Sequence, residues 1–150
     1  MNTHDLPSKS RLRLWLKLLK ANNLIENNVR QKLRAQHVTT LPRFDVMSAL
    51  SRYPDGLKMS EISDLLRVSN GNITGIVDRL TEEGLAQRVA VPGDRRASLV
   101  RLTPKGAETF TAQAQDHETW INTMLAGLSQ TDADAITSGL DNLIDSLAEA

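Results

Sequence analysis

The sequence predicts a mainly α-helical chain with a small β-wing: a winged helix-turn-helix flanked by N- and C-terminal dimerisation helices. Three observations predict it. Apolar residues recur at helical spacing through both ends of the 150-residue chain. A helix, a tight turn and a second helix rich in small polar residues occupy the middle. Two short β-compatible runs joined by an arginine-bearing turn follow directly.

The first helix is expected from about Ser8 to Gln36, with Leu12, Trp15, Leu16, Leu19, Ile25, Val29 and Leu33 on a broad apolar face. Thr40 and Pro42 open a second helix through Ser51, burying Phe44, Met47 and Leu50, and Tyr53-Pro54-Asp55-Gly56 ends it as a turn. Ser60 to Arg67 is the supporting helix. After the wing, Thr103 and Pro104 start a long helix to about Gly127, with Phe110, Ala114, His117, Trp120, Ile121 and Met124 in register. Ser129 with Asp132 reads as a capping box for a last helix, on which Ile136, Leu140, Leu143, Ile144 and Leu147 form another stripe. One chain, residues 1–150, thus divides into a winged helix-turn-helix lobe at 40–104 and dimerisation helices at 8–36 and 104–150.

The second helix of the central pair carries most information. Ser69 can cap its first turn, and Ile73, Ile76, Val77 and Leu80 define its buried stripe. At about 100° per residue the opposite face is centred on Gly71, Gly75, Asp78 and Glu82, with Asn70, Thr74 and Arg79 on its flanks. Glycine in a helix costs roughly 1 kcal/mol relative to alanine. Two outward glycines therefore call for a reason, and close approach of the backbone to another surface is one; simple tolerance of Gly71 in the first turn and of Gly75 is the other. Asn70, Asn72 and Thr74 lie at the end of such a helix that usually meets base edges or phosphates. Asp78 and Glu82 repel phosphate, so contact should weaken toward the C-terminal half.

The wing is read as Leu85 to Val91 and Leu99 to Thr103, with Pro92, Gly93 and Asp94 as the turn. From Arg88 to Lys105 there are five basic residues, Arg88, Arg95, Arg96, Arg101 and Lys105, against one acid, Asp94. An arginine on a narrow hairpin tip fits the minor groove of duplex DNA, and the adjacent carboxylate can hold its guanidinium in place. Ser98 completes the set of candidate contacts on this arm.

Net charge is zero, yet its distribution is not even. Residues 1 to 42 hold eight Lys/Arg and two Asp/Glu, residues 43 to 106 hold ten and eight, and residues 107 to 150 hold none and eight. The acids thus gather in the last third, away from DNA or paired with the basic first helix. The chain has no cysteine, which excludes disulfides, thiolate zinc sites and a reactive-thiol sensor. His4, His37 and His117 have no metal-ligand spacing, so no metal and no cofactor is expected, and no nucleophile, phosphate loop or acid pair supports an enzyme. No uncharged run reaches the ~18 residues of a spanning helix and the N-terminus lacks a signal-like apolar core, so the expected compartment is the cytoplasm, without a membrane partner.

The run DRRASLVRLTPKG, Asp94 to Gly106, resembles the wing signature of the MarR family of transcription regulators, in which Asp-x-Arg-Ala/Ser is followed by an apolar-x-Leu-Thr-x-x-Gly. Asp94, Arg96, Ala97, Val100, Leu102, Thr103 and Gly106 match, and the likeness extends back to about Pro42. The resemblance implies that Arg96 enters the minor groove, that Asp94 orients it, and that Ser69 to Arg79 presents major-groove and phosphate contacts. One departure is Lys58, where such sequences often carry Ser or Thr ahead of Glu61 as a capping box, which puts the local cap in doubt.

The unpaired stripes on the first and last helices imply a homodimer. Its two recognition helices would meet a pseudo-palindromic operator about one DNA turn, roughly 34 Å, apart. Family resemblance also implies a repressor released by a small molecule bound where the dimerisation helices meet the lobe. Candidates are Arg11, Leu16, Leu19, Asn23, Arg43, Phe44, Met47 and Trp120, although Arg43 could equally face solvent and the aromatics be core. LPRFDV together with SNGNITG resembles the branch answering to aromatic acids or their coenzyme A thioesters. The basic Arg11, Arg13, Lys17 and Lys20 would suit a nucleotide phosphate, or could pair with the acidic C-terminal segment. Two other classes remain open: a constitutive or architectural DNA-binding protein, and a winged-helix protein-interaction module.

Overall fold

Helix α1 spans Asp5–His37 in a computed structural model that describes residues 5–66 and 70–149. Only Pro7 interrupts its helix-forming composition, in the first turn, where a missing N–H costs nothing. It ends at Val38, whose φ of 50° is the left-handed conformation usual for glycine, and Thr39 N–H closes the end on the Leu33 carbonyl at 3.3 Å. Its apolar face divides. Val29 and Leu33 are buried, whereas Leu12, Trp15, Leu16 and Leu19 stand exposed, Ile25 lying between.

Helix α2, Leu41–Arg52, begins at the expected cap: the Thr40 hydroxyl accepts from Arg43 N–H at 3.3 Å. Helix α3, Met59–Leu66, keeps half of a capping box despite Lys58, because the Glu61 carboxylate accepts from Lys58 N–H at 2.9 Å. The other half, a Ser or Thr hydroxyl at position 58, is what Lys58 cannot supply. Helix α4 is Asn70–Glu82, and the proposed cap Ser69 lies outside the described residues, as do Arg67 and the side chains of Asn70 and Arg95.

The hairpin is longer and less regular than its sequence indicates. Strand β1, Ala86–Val91, pairs antiparallel with β2, Asp94–Leu102, so Asp94 to Ser98 belong to the strand and the turn shrinks to Pro92-Gly93. Gly93 takes the positive φ of 83° that this tight connection requires. Ala90 pairs with Ser98 and Val91 with Asp94, so Arg95, Arg96 and Ala97 have no opposite number and form a bulge. At the inner end Leu57 joins the ladder, its N–H donating to Val100 O at 2.9 Å and its carbonyl accepting from Val100 N–H at 2.8 Å.

Around this ladder Val46, Met47, Leu50, Leu57, Ile62, Ile73, Val77, Leu80, Leu85 and Val100 form the core of the lobe. Helix α5, Pro104–Met124, starts against it under tight constraint. Thr103 N–H donates to Leu85 O at 3.1 Å, the Thr103 hydroxyl donates to Gly84 O and accepts from Gly106 N–H, and a Cβ on Gly106 would lie 1.9 Å from Leu85 O. Gly106 is therefore a requirement of packing. The chain divides into two compact units, Met1–His117 and Glu118–Ala150. In the second, helix α6 (Gln130–Ala148) is capped by Ser129, whose hydroxyl accepts from Asp132 N–H at 3.1 Å, and carries no buried residue.

Candidate nucleic-acid interface

Helix α4 presents two distinct faces. Ile73, Val77 and Leu80 are fully buried and Ile76 half-buried, while Gly71, Asn72, Thr74, Gly75, Asp78, Arg79 and Glu82 are exposed. A Cβ built on Gly71 or Gly75 meets nothing within 4 Å. No neighbour among the described residues asks for glycine at either position.

The wing places Arg96 two residues beyond Asp94 in the bulge, exposed and without an ion-pair partner among the described residues. Asp94 positions it through the main chain: its carboxylate accepts from Arg96 N–H at 3.0 Å. The expectation that this carboxylate holds the guanidinium is corrected here. A bound guanidinium would be half-neutralised, whereas one held only by its backbone keeps its full charge and its reach. Ser98, by contrast, is half-buried in the ladder opposite Ala90.

Arg88 is already engaged. Its guanidinium lies 2.7 Å from Asp78 on α4, with both side chains about half exposed at 42% and 54%. Next to a polyanion this pair matters less as a tie than as a neutraliser, because it masks one of two carboxylates on the outward face.

A second cationic surface does not stand out in the sequence. Arg30 and Arg34 of α1, the 39–42 segment, and Asn72 and Ile76 of α4 line a groove of about 500 Å³. Arg30 stands 3.6 Å from Glu26, and Arg34 is exposed with no ion pair among the described residues. In an adjoining cavity that shares Arg30, Leu41 and Pro42, burial raises the Asp45 carboxyl above its ordinary 3.8, with the nearby Glu26 charge adding and Arg30 subtracting. A signal for it exists: residues 27–37 carry Arg30, Lys32 and Arg34 and no acid.

Within the first compact unit the candidate effector residues do not converge. Phe44 and Met47 are core, Phe44 stacking on His117 at 4.8 Å and tilting on Phe110 at 5.4 Å. Burial lowers the His117 pKa from 6.5, favouring the neutral ring in that stack. Arg43 is paired with Glu83, just past the end of α4, and its Nε is buried without a partner. Arg11, Leu16, Leu19 and Asn23 lie on the exposed stretch of α1, roughly 9–27 Å along the axis from Val29 at 1.5 Å per residue. Trp120 is buried in the other compact unit. No helix of the described residues is long and apolar enough to cross a membrane, and they contain no group of three or more potential metal ligands.

Residues 39–97 match the model of the MarR family. Among curated proteins, the HTH-type transcriptional regulator MhqR of Bacillus subtilis is 28% identical over 129 residues, which cover 86% of this chain and 88% of that one. A MarR family transcriptional regulator from Silicibacter pomeroyi has a solved structure with a TM-score of 0.79 and 28% identity, covering 95% and 98% of the two chains. FabT of Streptococcus pneumoniae, solved in complex with DNA, shares the fold at a TM-score of 0.76 and 22% identity, over 93% and 98%. The lobe built from α2 to β2 and the wing signature that closes it resemble those of this group, and the chain is similar to winged-helix transcription regulators of the MarR family.

Proposed function

We propose that this chain binds a pseudo-palindromic operator in duplex DNA as a homodimer, acts there as a repressor, and is released by a small aromatic acid or its acyl-CoA ester. The observation that carries the DNA-binding step is the pairing of two outward glycines on α4, Gly71 and Gly75, with an uncompensated arginine in the wing bulge. A helix that lacks bulk over its N-terminal half can bring its backbone close to a major groove there, and a cation on a narrow arm can enter the minor groove beside it. Asn72, Thr74 and Arg79 are the side chains set to reach base edges and phosphates. Arg88 acts by masking Asp78.

The dimer is supported by apolar surface that the chain leaves uncovered. Leu12, Leu14, Trp15 and Leu16 are each more than half exposed, and Ile144 and Leu147 are 60% and 64% exposed. Such surface is characteristic of an interface, and a two-fold pairing gives a self-complementary way to cover it. An effector that favours release must bind the DNA-incompetent state more tightly. Arg43 can contribute only by exchanging Glu83 for the ligand's carboxylate, while the exposed Arg11, Arg13, Lys17 and Lys20 suit the phosphates of a coenzyme A moiety.

Gel retardation on the DNA upstream of the chain's own gene, with and without a panel of phenolic acids and acyl-CoA esters, tests these steps together with sedimentation at micromolar concentration. Specific retardation that one ligand relieves, by a sedimenting dimer, is the expected result. Diffuse retardation would point to an architectural protein, no binding to a protein-interaction module, and a monomer would remove the two-fold operator. Failure of every ligand to relieve retardation or shift the melting temperature would retire the effector.

A further inference from the structure

We infer that Arg34, with Arg30 one turn before it, is a phosphate contact that grips one backbone strand bordering the groove α4 enters; this rests on the DNA-binding reading above. The geometry of α4 points there. At about 100° per residue, Asn72 and Ile76 lie roughly 90° and 130° round from the centre of the outward face, so the groove they line opens on its flank. A helix is ≈ 10–12 Å across with its side chains, and the major groove ≈ 12 Å wide, so a seated helix turns its flanks toward the bordering phosphates. Whatever lines that flank meets backbone, not bases.

The chemistry of the flank agrees. Arg30 and Arg34 are four residues apart and so stand one above the other on α1, both exposed, in a stretch from 27 to 37 that holds no acid. Arg30 carries a loose neighbour, Glu26 at 3.6 Å, while Arg34 has no ion pair among the described residues. Arg34 is thus the principal contact. The outward face of α4 is poor in available cation by comparison: Arg79 is set against Asp78 and Glu82, and Arg88 is spent on Asp78. A helix whose exposed face carries two acids needs backbone charge from elsewhere, and α1 supplies it.

The same groove could hold a small carboxylate, so the experiment must separate the two sources. Binding of the full-length protein to a duplex carrying its footprinted site, and to a scrambled duplex, is measured by fluorescence anisotropy across a salt series for the wild type, Arg34→Gln and Arg30→Gln. Thermal shifts with benzoate are recorded in parallel. The expected result is that Arg34→Gln weakens both duplexes by the same factor and flattens the log–log salt slope by about one for each phosphate no longer neutralised. Arg30→Gln does so less, and neither variant alters the urea midpoint. Unchanged affinity and slope, or a loss confined to the specific site, would overturn the inference while leaving the regulator standing. Normal DNA binding with loss of a wild-type benzoate shift would overturn it too, and assign the groove to a small anion. A wild type that binds neither duplex would bring down the DNA-binding reading and this inference with it.

Discussion

The lobe from α2 to β2 closes on itself, whereas the first half of α1 and all of α6 do not. Ile62, Ile73, Val77, Leu80 and Val100 reach zero exposure in a chain whose α6 has no buried residue at all. Both regions are built from aliphatic residues at helical spacing, so amphipathic pattern alone does not separate them. What separates them is whether the chain provides the opposing surface. The lobe supplies its own, in three helices and a short ladder; the terminal helices await one, and a second copy of the chain is the occupant proposed for that role.

The sharpest way to break this contrast is to truncate one leucine in each region. Leu80→Ala should cost about 2–5 kcal/mol in urea unfolding, because a fully buried side chain leaves a cavity. Leu147→Ala should change the intrinsic stability by no more than about 0.5 kcal/mol, since the residue is 64% exposed. It should instead make the melting temperature more dependent on protein concentration. A Leu147 variant that melts and sediments as the wild type would leave α6 a solvent-facing helix.

Gly106→Ala comes next. Its Cβ would fall 1.9 Å from the Leu85 carbonyl, an unyielding backbone atom, so the start of α5 must shift away from β1. A loss of about 1–3 kcal/mol is expected, with no direct effect on DNA contacts. Unchanged stability would show that this junction is looser than its geometry.

Gly75→Leu should leave folding intact, because nothing lies within 4 Å of the added Cβ, and raise helix propensity by up to about 1 kcal/mol. DNA affinity should fall all the same, through bulk on the docking face. Tighter binding by this variant would refute close approach of the α4 backbone.

The smallest effect is one of pH. Burial lowers the His117 pKa below 6.5, so the folded chain binds fewer protons than the unfolded one between that depressed value and 6.5. Stability should therefore fall as pH drops through this window and be fully present above it. His117→Phe should flatten that part of the curve while leaving the acid-side contribution of Asp45, whose raised pKa acts above 3.8 with the opposite sign. Identical pH profiles for the two proteins would remove the stacked, neutral histidine from the lobe's stability.

The helices and wing are legible in the sequence because periodicity and turn chemistry are local. Ile73, Val77 and Leu80 announce the buried side of α4, and Thr40 and Ser129 announce their caps. Features that depend on what sits across from a residue are not legible. Pro92 and Gly93 mark the turn, but register across the strands decides that Arg95 to Ala97 bulge, and no local signal carries it. Gly106 matches a family signature, and its reason emerges only with Leu85 against it. Likewise Arg88 points to DNA on charge alone, and only the fold brings it to Asp78. Arg30 and Arg34 are lost in the overall basicity of the N-terminal third, since a groove between α1 and α4 exists only after folding.

Footprinting on the upstream DNA, wild type against Arg96→Ala, tests the central claim most directly. A wild-type footprint over an inverted repeat, with affinity reduced by roughly 1–3 kcal/mol in a variant that folds normally, is the expected result. Equal protection by both proteins at physiological salt would contradict a wing that reads the minor groove, and no protected repeat for either would contradict the two-fold grip on DNA itself.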